Sequence, residues 1–430
     1  MGNPLTTIGN AVAPERLGRS FRWLLASGMA NNAGDGLMLA AGPLLVASQT
    51  RDPLLVSMAF LVQFLPSLLF GTVAGVLVDR FDRRRIVMAV DAIRALALGL
   101  LATSIVTETV SIAVVLAVLF VLGTAEIFAD LGSSSILPRL VAREDLGIAN
   151  ARLQGAYLVT NQLVAPPIGA FLFAMGMALP FTVNALTCIA GGVLISRVIL
   201  RRGDAGRPGE ADEAADMGAH RATGSLRAEM AVGLRWLMAH APMRTLALTI
   251  VAFNITFGAA WSVLVLYAGE QLGMDEVGFG LLATAMAIGG LIGTSAYGRL
   301  ERRFSLADIM RVGLVIETGT HLVLALTRSP IVALVVMVVF GAHAFVWGTT
   351  STAVRQRAVP DVLMGRVAGV YAVASVGGII IGTPIGGLLA RTWGVTAPFW
   401  FGFVGSAILV TVLWREFGHI VHAGDAPAKT

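Results

Sequence analysis

The 430-residue chain is 56% hydrophobic and only 13% charged, with a mean hydropathy of +0.79, whereas soluble domains carry about 25% charged residues. That balance excludes a soluble enzyme or a nucleic-acid-binding domain and points to a polytopic membrane protein. The formal charge of +5 then reflects where arginines flank the membrane. A single cysteine, Cys188, excludes intrachain disulfides and a cysteine-cluster metal site.

A membrane span needs about 20 apolar residues. Twelve runs qualify in chain order: Phe21–Ser48, Leu54–Val78, Ile86–Val106, Ile112–Leu131, Ala151–Met175, Ala178–Val198, Met243–Gly269, Val277–Tyr297, Ile309–Thr327, Ile331–Val354, Val367–Ala390 and Ala397–Trp414. Backbone groups in lipid must bond within their own segment, so runs of this length read as helices. We refer to them as spans 1 to 12.

Midway along span 1, the stretch M-A-N-N-A-G-D-G-L-M carries Asp35. A charge at mid-bilayer costs about 2.5–3.5 kcal/mol, so such a group faces protein rather than lipid. Asp35 is the first candidate to carry a proton. Its other reading is a helix-packing acid bonded to Asn31, Asn32 or a neighbouring span. Between spans 2 and 3, Gly75–Arg85 reads G-V-L-V-D-R-F-D-R-R-R. A basic hairpin held by the bilayer at both ends cannot cradle a nucleotide or a nucleic acid, but it can clamp helix ends together. Asp91 and Arg94 follow three apart on one face of span 3, as do Asp308 and Arg311 on span 9, and both pairs read as ties to the arginine loops.

Glu126 and Asp130 lie four apart on one face of span 4, with Glu126 the deeper and a second candidate for a proton or cation. Span 5 carries Asn161-x3-Ala165-Pro166-x2-Gly169, and span 11 carries Gly378-x3-Gly382-Thr383-Pro384-x-Gly386. Small residues allow close helix approach and proline removes a helix hydrogen bond. Pro166, Gly169, Gly382, Pro384 and Gly386 are therefore expected to make pliant, tightly packed helices. Glu317 and His321, four apart in span 9, read as a packed pair. Asn31, Asn32, Gln63, Asn254, His343 and Trp347 are polar or aromatic in-span residues expected to line a cavity, and the Trp suits an apolar or cationic substrate.

The two halves repeat. At an offset of 222, Asn32 and Gly36 align with Asn254 and Gly258, and Asp79-Arg80 with Glu301-Arg302; at 217, Asp91 and Arg94 align with Asp308 and Arg311, and Pro167-Ile168-Gly169 with Pro384-Ile385-Gly386. Asp35 has the apolar Phe257 as its counterpart. The expected organisation is an N-terminal six-helix bundle at 1–200, a cytoplasmic linker with an amphipathic helix at 201–242, and a C-terminal six-helix bundle at 243–430. Of 31 Lys and Arg, 28 fall on the side that holds both termini, leaving Arg51, Arg328 and Arg391 opposite. The positive-inside bias makes the termini cytoplasmic.

The hairpin resembles the loop between helices 2 and 3 of the major facilitator superfamily, G-x-L-x-D-R-x-G-R-[KR]. Gly75, Leu77, Asp79, Arg80, Arg83 and Arg84 match, and Asp82 replaces a glycine. The resemblance implies the fold of that superfamily, with Gly75, Asp79, Arg80, Arg83, Asp91, Arg94 and Asp130 as a conformational clamp in which Asp130 meets a hairpin arginine. Span 4 departs from the superfamily's arginine motif, since Leu119 stands where the arginine would fall before Gly123. With G-S-S-S-I-L-P-R-L-V ending span 4 and P-D-x-L-x-G-R before span 11, the chain resembles the macrolide-efflux and enterobactin-exporter branch. That branch implies proton-driven efflux of drugs or siderophores across a bacterial cytoplasmic membrane. A lysophospholipid flippase, a metabolite permease and a non-transporting scaffold are the other readings. No G-x-x-x-x-G-K-[ST] loop occurs and the histidines form no metal pattern, so no cofactor, metal or catalytic residue is expected. The expected partners are a small-molecule substrate, protons and membrane lipid, with no nucleic acid and a monomeric state.

Overall fold

The computed structural model describes residues 15–199 and 226–417; the expected linker Arg201–Gly224 lies outside them. Every expected span is helical, although span 7 breaks at Ser262–Val263 into Ala241–Trp261 and Leu264–Glu270, and no strand occurs among the described residues. Among the described residues, ten helices are long and apolar enough to cross a membrane. Of the two others, Gly18–Gln49 (span 1) is long but diluted by Asn31, Asn32 and Asp35, and Ala397–Leu413 (span 12) is apolar but only 17 residues long. Outward-facing apolar stripes complete the picture. Val404, Ile408 and Val412 recur every fourth residue on span 12 with their side chains exposed, as do Ile331, Val335 and Val339 on span 10. Such stripes suit a lipid environment and not water.

Local chemistry sets where the helices begin and yield. Asp82 accepts bonds from the backbone N–H groups of Arg84 and Arg85, at 3.0 and 3.3 Å, and so caps Arg83–Val106 (span 3). The departure from the superfamily glycine is thus a helix N-cap. Ser111, Ser305 and Ser329 cap spans 4, 9 and 10 in the same way. Span 5 is not uniform: Leu146–Tyr157 passes through a π-helical stretch, Leu158–Val164, into Ala165–Met175. The bulge falls directly before Pro166 and Pro167, where missing N–H donors already interrupt the helical ladder.

The chain forms two compact units. The first contains spans 1 and 3 to 6, the greater part of span 2 from Val62 onward, and Asp275–Thr284 at the start of span 8. Its core packs Phe21, Leu24, Leu25, Val87, Ile136 and Ile195. Arg84 donates to the carbonyls of Val198 (3.0 Å) and Ser196, fastening the end of span 6 to the start of span 3. Gly280 of the Asp275–Thr284 segment sits against span 5, where an added Cβ would lie 2.7 Å from the Ala170 side chain.

The second unit contains the remaining helices and the start of span 2, Asp52–Leu61. Leu54 and Ser57 press on Gly387 of span 11, and Asp52 pairs with Arg391 at 3.7 Å. The expected amphipathic helix is Leu226–Ala239. Leu237 enters the core with Met243, Leu246, Met310 and Val367, Gly233 abuts the Arg366 backbone, and Leu234 and Met238 stay exposed.

The internal repeat extends to packing contacts. Gly169 of span 5 leaves no room for a Cβ against the backbone of Leu37 in span 1. In the second unit the equivalent pair, Gly386 and Ala259, makes the same close approach between spans 11 and 7. Gly36 meets the Asn161 carbonyl as its counterpart Gly258 meets that of Ile379, and Gly382 closes on Ile255. Lipid offers little hydrophobic drive for helix association, so backbone contact of this kind holds the helices together.

Candidate functional site: a buried charge cluster

Span 1 is drawn tightly against its neighbours on both sides of Asp35. Gly34 faces Asn184 and Thr187 of span 6, and Gly36 faces Asn161 and Ala165 of span 5, with no space for a side chain at either glycine. Asn161 also donates to the Asn32 carbonyl at 3.2 Å. Asp35 is thereby presented between two fixed backbone contacts, and its carboxylate accepts a charge-assisted hydrogen bond from Arg94 of span 3. Arg94 lies 3.9 Å from Asp91 on its own helix, and Asn31 donates to both oxygens of Asp91 at 3.1 and 3.2 Å. Arg94 and Asp91 are buried, while the Asp35 side chain keeps about a fifth of its surface accessible.

This geometry corrects the sequence reading of Asp91 and Arg94. Among the described residues their partners outside span 3 lie on span 1 and not in the hairpin. The site then holds one cation for two close anions, so it is one proton short of neutral. In a low-dielectric interior such an imbalance is costly to hold.

The clamp is placed only in part. Gly75 and Arg80 sit in the last turns of the helix Pro53–Arg80, and Arg83 opens span 3, but the Asp79 side chain lies outside what is described. Asp130 is exposed, and among the described residues it forms no ion pair with a hairpin arginine. Glu126 is likewise exposed on the same face. Gln63 is half-buried, and its backbone carbonyl abuts Gly123 of span 4.

In the second unit the expected cavity residues are packed differently. Asn254 bonds back to the Ile250 carbonyl of its own helix at 2.9 Å. His343 and Trp347 are buried in the packing between spans 9 and 10 and do not face open space. Where span 1 has its acid, span 7 has a row of rings. Phe253, Phe257 and Trp261 recur every fourth residue and stack in sequence, with Phe340 4.6 Å from Trp261 and Trp347 6.2 Å from Phe253. The fourfold spacing was visible in the sequence, although its joining with span 10 was not.

Two pseudo-repeated helical units with charge buried inside one of them define a membrane transporter of the major facilitator superfamily. Residues 10–421 match the family model described as transmembrane secretion effector, and the chain belongs to that family. It is 27% identical to the multidrug efflux pump Tap of Mycolicibacterium fortuitum, over 87% of this chain and 90% of that one. It is 24% identical to macrolide efflux protein A of Streptococcus pyogenes, over 85% and 87% of the two chains. Among solved structures, a bacterial homologue of the iron transporter ferroportin in its inward-facing state shares the fold, with a TM-score of 0.71 and 20% identity over 93% of this chain and 98% of that one.

Proposed function

We propose that the chain is a proton-coupled secondary exporter of small amphipathic molecules, drugs or siderophores, working by alternating access in a bacterial cytoplasmic membrane with both termini inside. The observation that carries the reading is the cluster of Asp35, Arg94 and Asp91, buried charge that a passive scaffold would have no reason to retain. The names of the relatives, a multidrug pump and a macrolide efflux protein, support export as the direction. A proton entering at Asp35 neutralises the cluster and releases Arg94 from one partner. The glycine contacts between spans 1 and 5 and between spans 7 and 11 provide tightly packed helix pairs that can rock as bodies.

The driving force suffices. One charge moving through 100 mV yields about 2.3 kcal/mol, which sustains a roughly fifty-fold gradient at about 1.4 kcal/mol per tenfold. The test is transport in proteoliposomes under an imposed pH gradient, with dyes, macrolides, siderophores and lysolipids as probes. Accumulation that requires the gradient supports the reading. Movement of lysolipids alone, or of every probe at equal rate with and without the gradient, overturns it.

A further inference from the structure

The second unit holds a second group of buried ionisable side chains that the export reading does not use. Glu317 and His321 share one face of span 9, and the His321 Nε2 lies 3.0 Å from Glu317 Oε1. From span 10, His343 Nε2 approaches the other carboxylate oxygen, Oε2, at 3.5 Å. All three side chains are buried.

The surrounding helices are cut to fit these rings. A Cβ at Gly313 would lie 2.6 Å from the Trp347 ring and 2.9 Å from the His343 ring, and Gly402 of span 12 opens the space that His321 fills. Yet among the described residues Glu317 Oε2, His321 Nδ1, His343 Nε2 and Trp347 Nε1 are buried without a well-formed hydrogen bond, and two of them, Glu317 Oε2 and His343 Nε2, face each other at 3.5 Å. Buried polar atoms are normally satisfied, so four orphans at one spot call for a reason.

Charge counting supplies one for the facing pair, His343 Nε2 and Glu317 Oε2. The remaining titratable and charged groups nearby stand apart. Span 12 has none between Ala397 and Leu413, and span 10 has only Arg355 and Arg357 in its last turn. On span 9, Asp308 and Arg311 pair with each other nearly two turns before Glu317. Span 7 has Arg244 at its start, and the segment after it has Glu270 and Tyr267, whose hydroxyl donates to the Leu324 carbonyl. The carboxylate therefore depends on two imidazoles. One proton makes the trio neutral, with the His321 Nε2–H donating to Oε1.

We propose that Glu317, His321 and His343 form a second proton-binding site, which holds one proton at rest and takes another on His343. The second proton forms an N–H bond at His343 Nε2, which then donates to Glu317 Oε2, and the trio passes from neutral to a charge of +1. Aromatic faces stand ready for that charge: Phe340 meets the His343 ring at 6.2 Å and 69°, and Trp261 meets His321 at 6.1 Å and 84°. An aromatic ring within about 6 Å can stabilise a cation through its electron-rich face. The site thus sits behind the aromatic row of span 7 and sets the charge beneath it.

Proton binding here needs no transport to be measured, so its failure is separable from that of the export reading. Histidine-selective nitrogen-15 NMR of the purified protein in lipid nanodiscs, titrated across pH 5–8 where imidazoles change charge, reads it directly. His321→Gln and His343→Gln assign the two rings. The expected result is one ring protonated throughout and the other gaining a proton within the range, with that second step absent in Glu317→Gln. Should Glu317→Gln fail to fold, the titration of the unmodified protein decides. Rings whose protonation is unchanged from pH 5 to 8, or a second step that survives in folded Glu317→Gln, would overturn the site.

Discussion

Arg94 of span 3 donates to the Asp35 carboxylate of span 1 while lying 3.9 Å from Asp91 on its own helix. One guanidinium is shared by two acids, one of which Asn31 already holds through both oxygens. Asp91 is therefore the fixed partner and Asp35, the more accessible, is the exchangeable one.

Arg94→Ala should destabilise the protein strongly, because it strands two acids in the interior. Breaking a buried pair from one side costs about 3–5 kcal/mol. Adding Asp35→Asn should recover part of the loss, since it removes one stranded charge. Thermal unfolding of the purified single and double variants measures this. Purely additive losses would show that the two residues do not share energy.

Asp35→Asn alone should fold well, for it leaves Arg94 and Asp91 as a balanced pair. It should abolish accumulation driven by a pH gradient and preserve downhill substrate exchange, because the amide imitates the protonated acid. Glu126→Gln is the comparison, and the two phenotypes should differ. Undiminished pumping by Asp35→Asn with the same pH dependence would move the coupling to Glu126.

Gly386→Ala should weaken the second unit by about 1–3 kcal/mol, because the new methyl meets the Ala259 backbone. Gly377→Ala, one helix with it but with no atom within 4 Å of the added carbon, should be neutral or gain about 0.5–1 kcal/mol. Unfolding of both variants in one detergent tests the contrast. Equal effects would mean that close backbone contact does not set stability here.

On the proposed orientation, position 212 is cytoplasmic. A cysteine placed there in a Cys188→Ala background should resist an impermeant thiol reagent in intact cells and react after permeabilisation. Cys188 is buried, so the background change removes only a small core side chain. Ready labelling in intact cells would reverse the orientation.

Composition and the lengths of the apolar runs were enough to read an all-helical membrane protein, and the spacing of Gly36, Gly169, Gly258 and Gly386 was enough to read its repeat. These properties are local: a run of apolar residues has one low-energy conformation in lipid, and small residues at matching positions of the two halves permit the same close approach in each. Asp35 was conspicuous for the same reason, as a charge in a segment that should hold none.

Partner choice was a different matter. That Arg94 serves Asp35 and not the hairpin, and that His343 joins Glu317 and His321, depends on how spans 1, 3, 9 and 10 are rotated about their axes. Asp82 illustrates the same divide at short range, since a departure from a loop pattern became a helix cap once the chain direction was known. The residue types and their depth were written along the chain. Which charges meet was decided by side-chain packing across helices some 60 residues apart in sequence or closer, where separations of a few ångströms determine whether two ions pair.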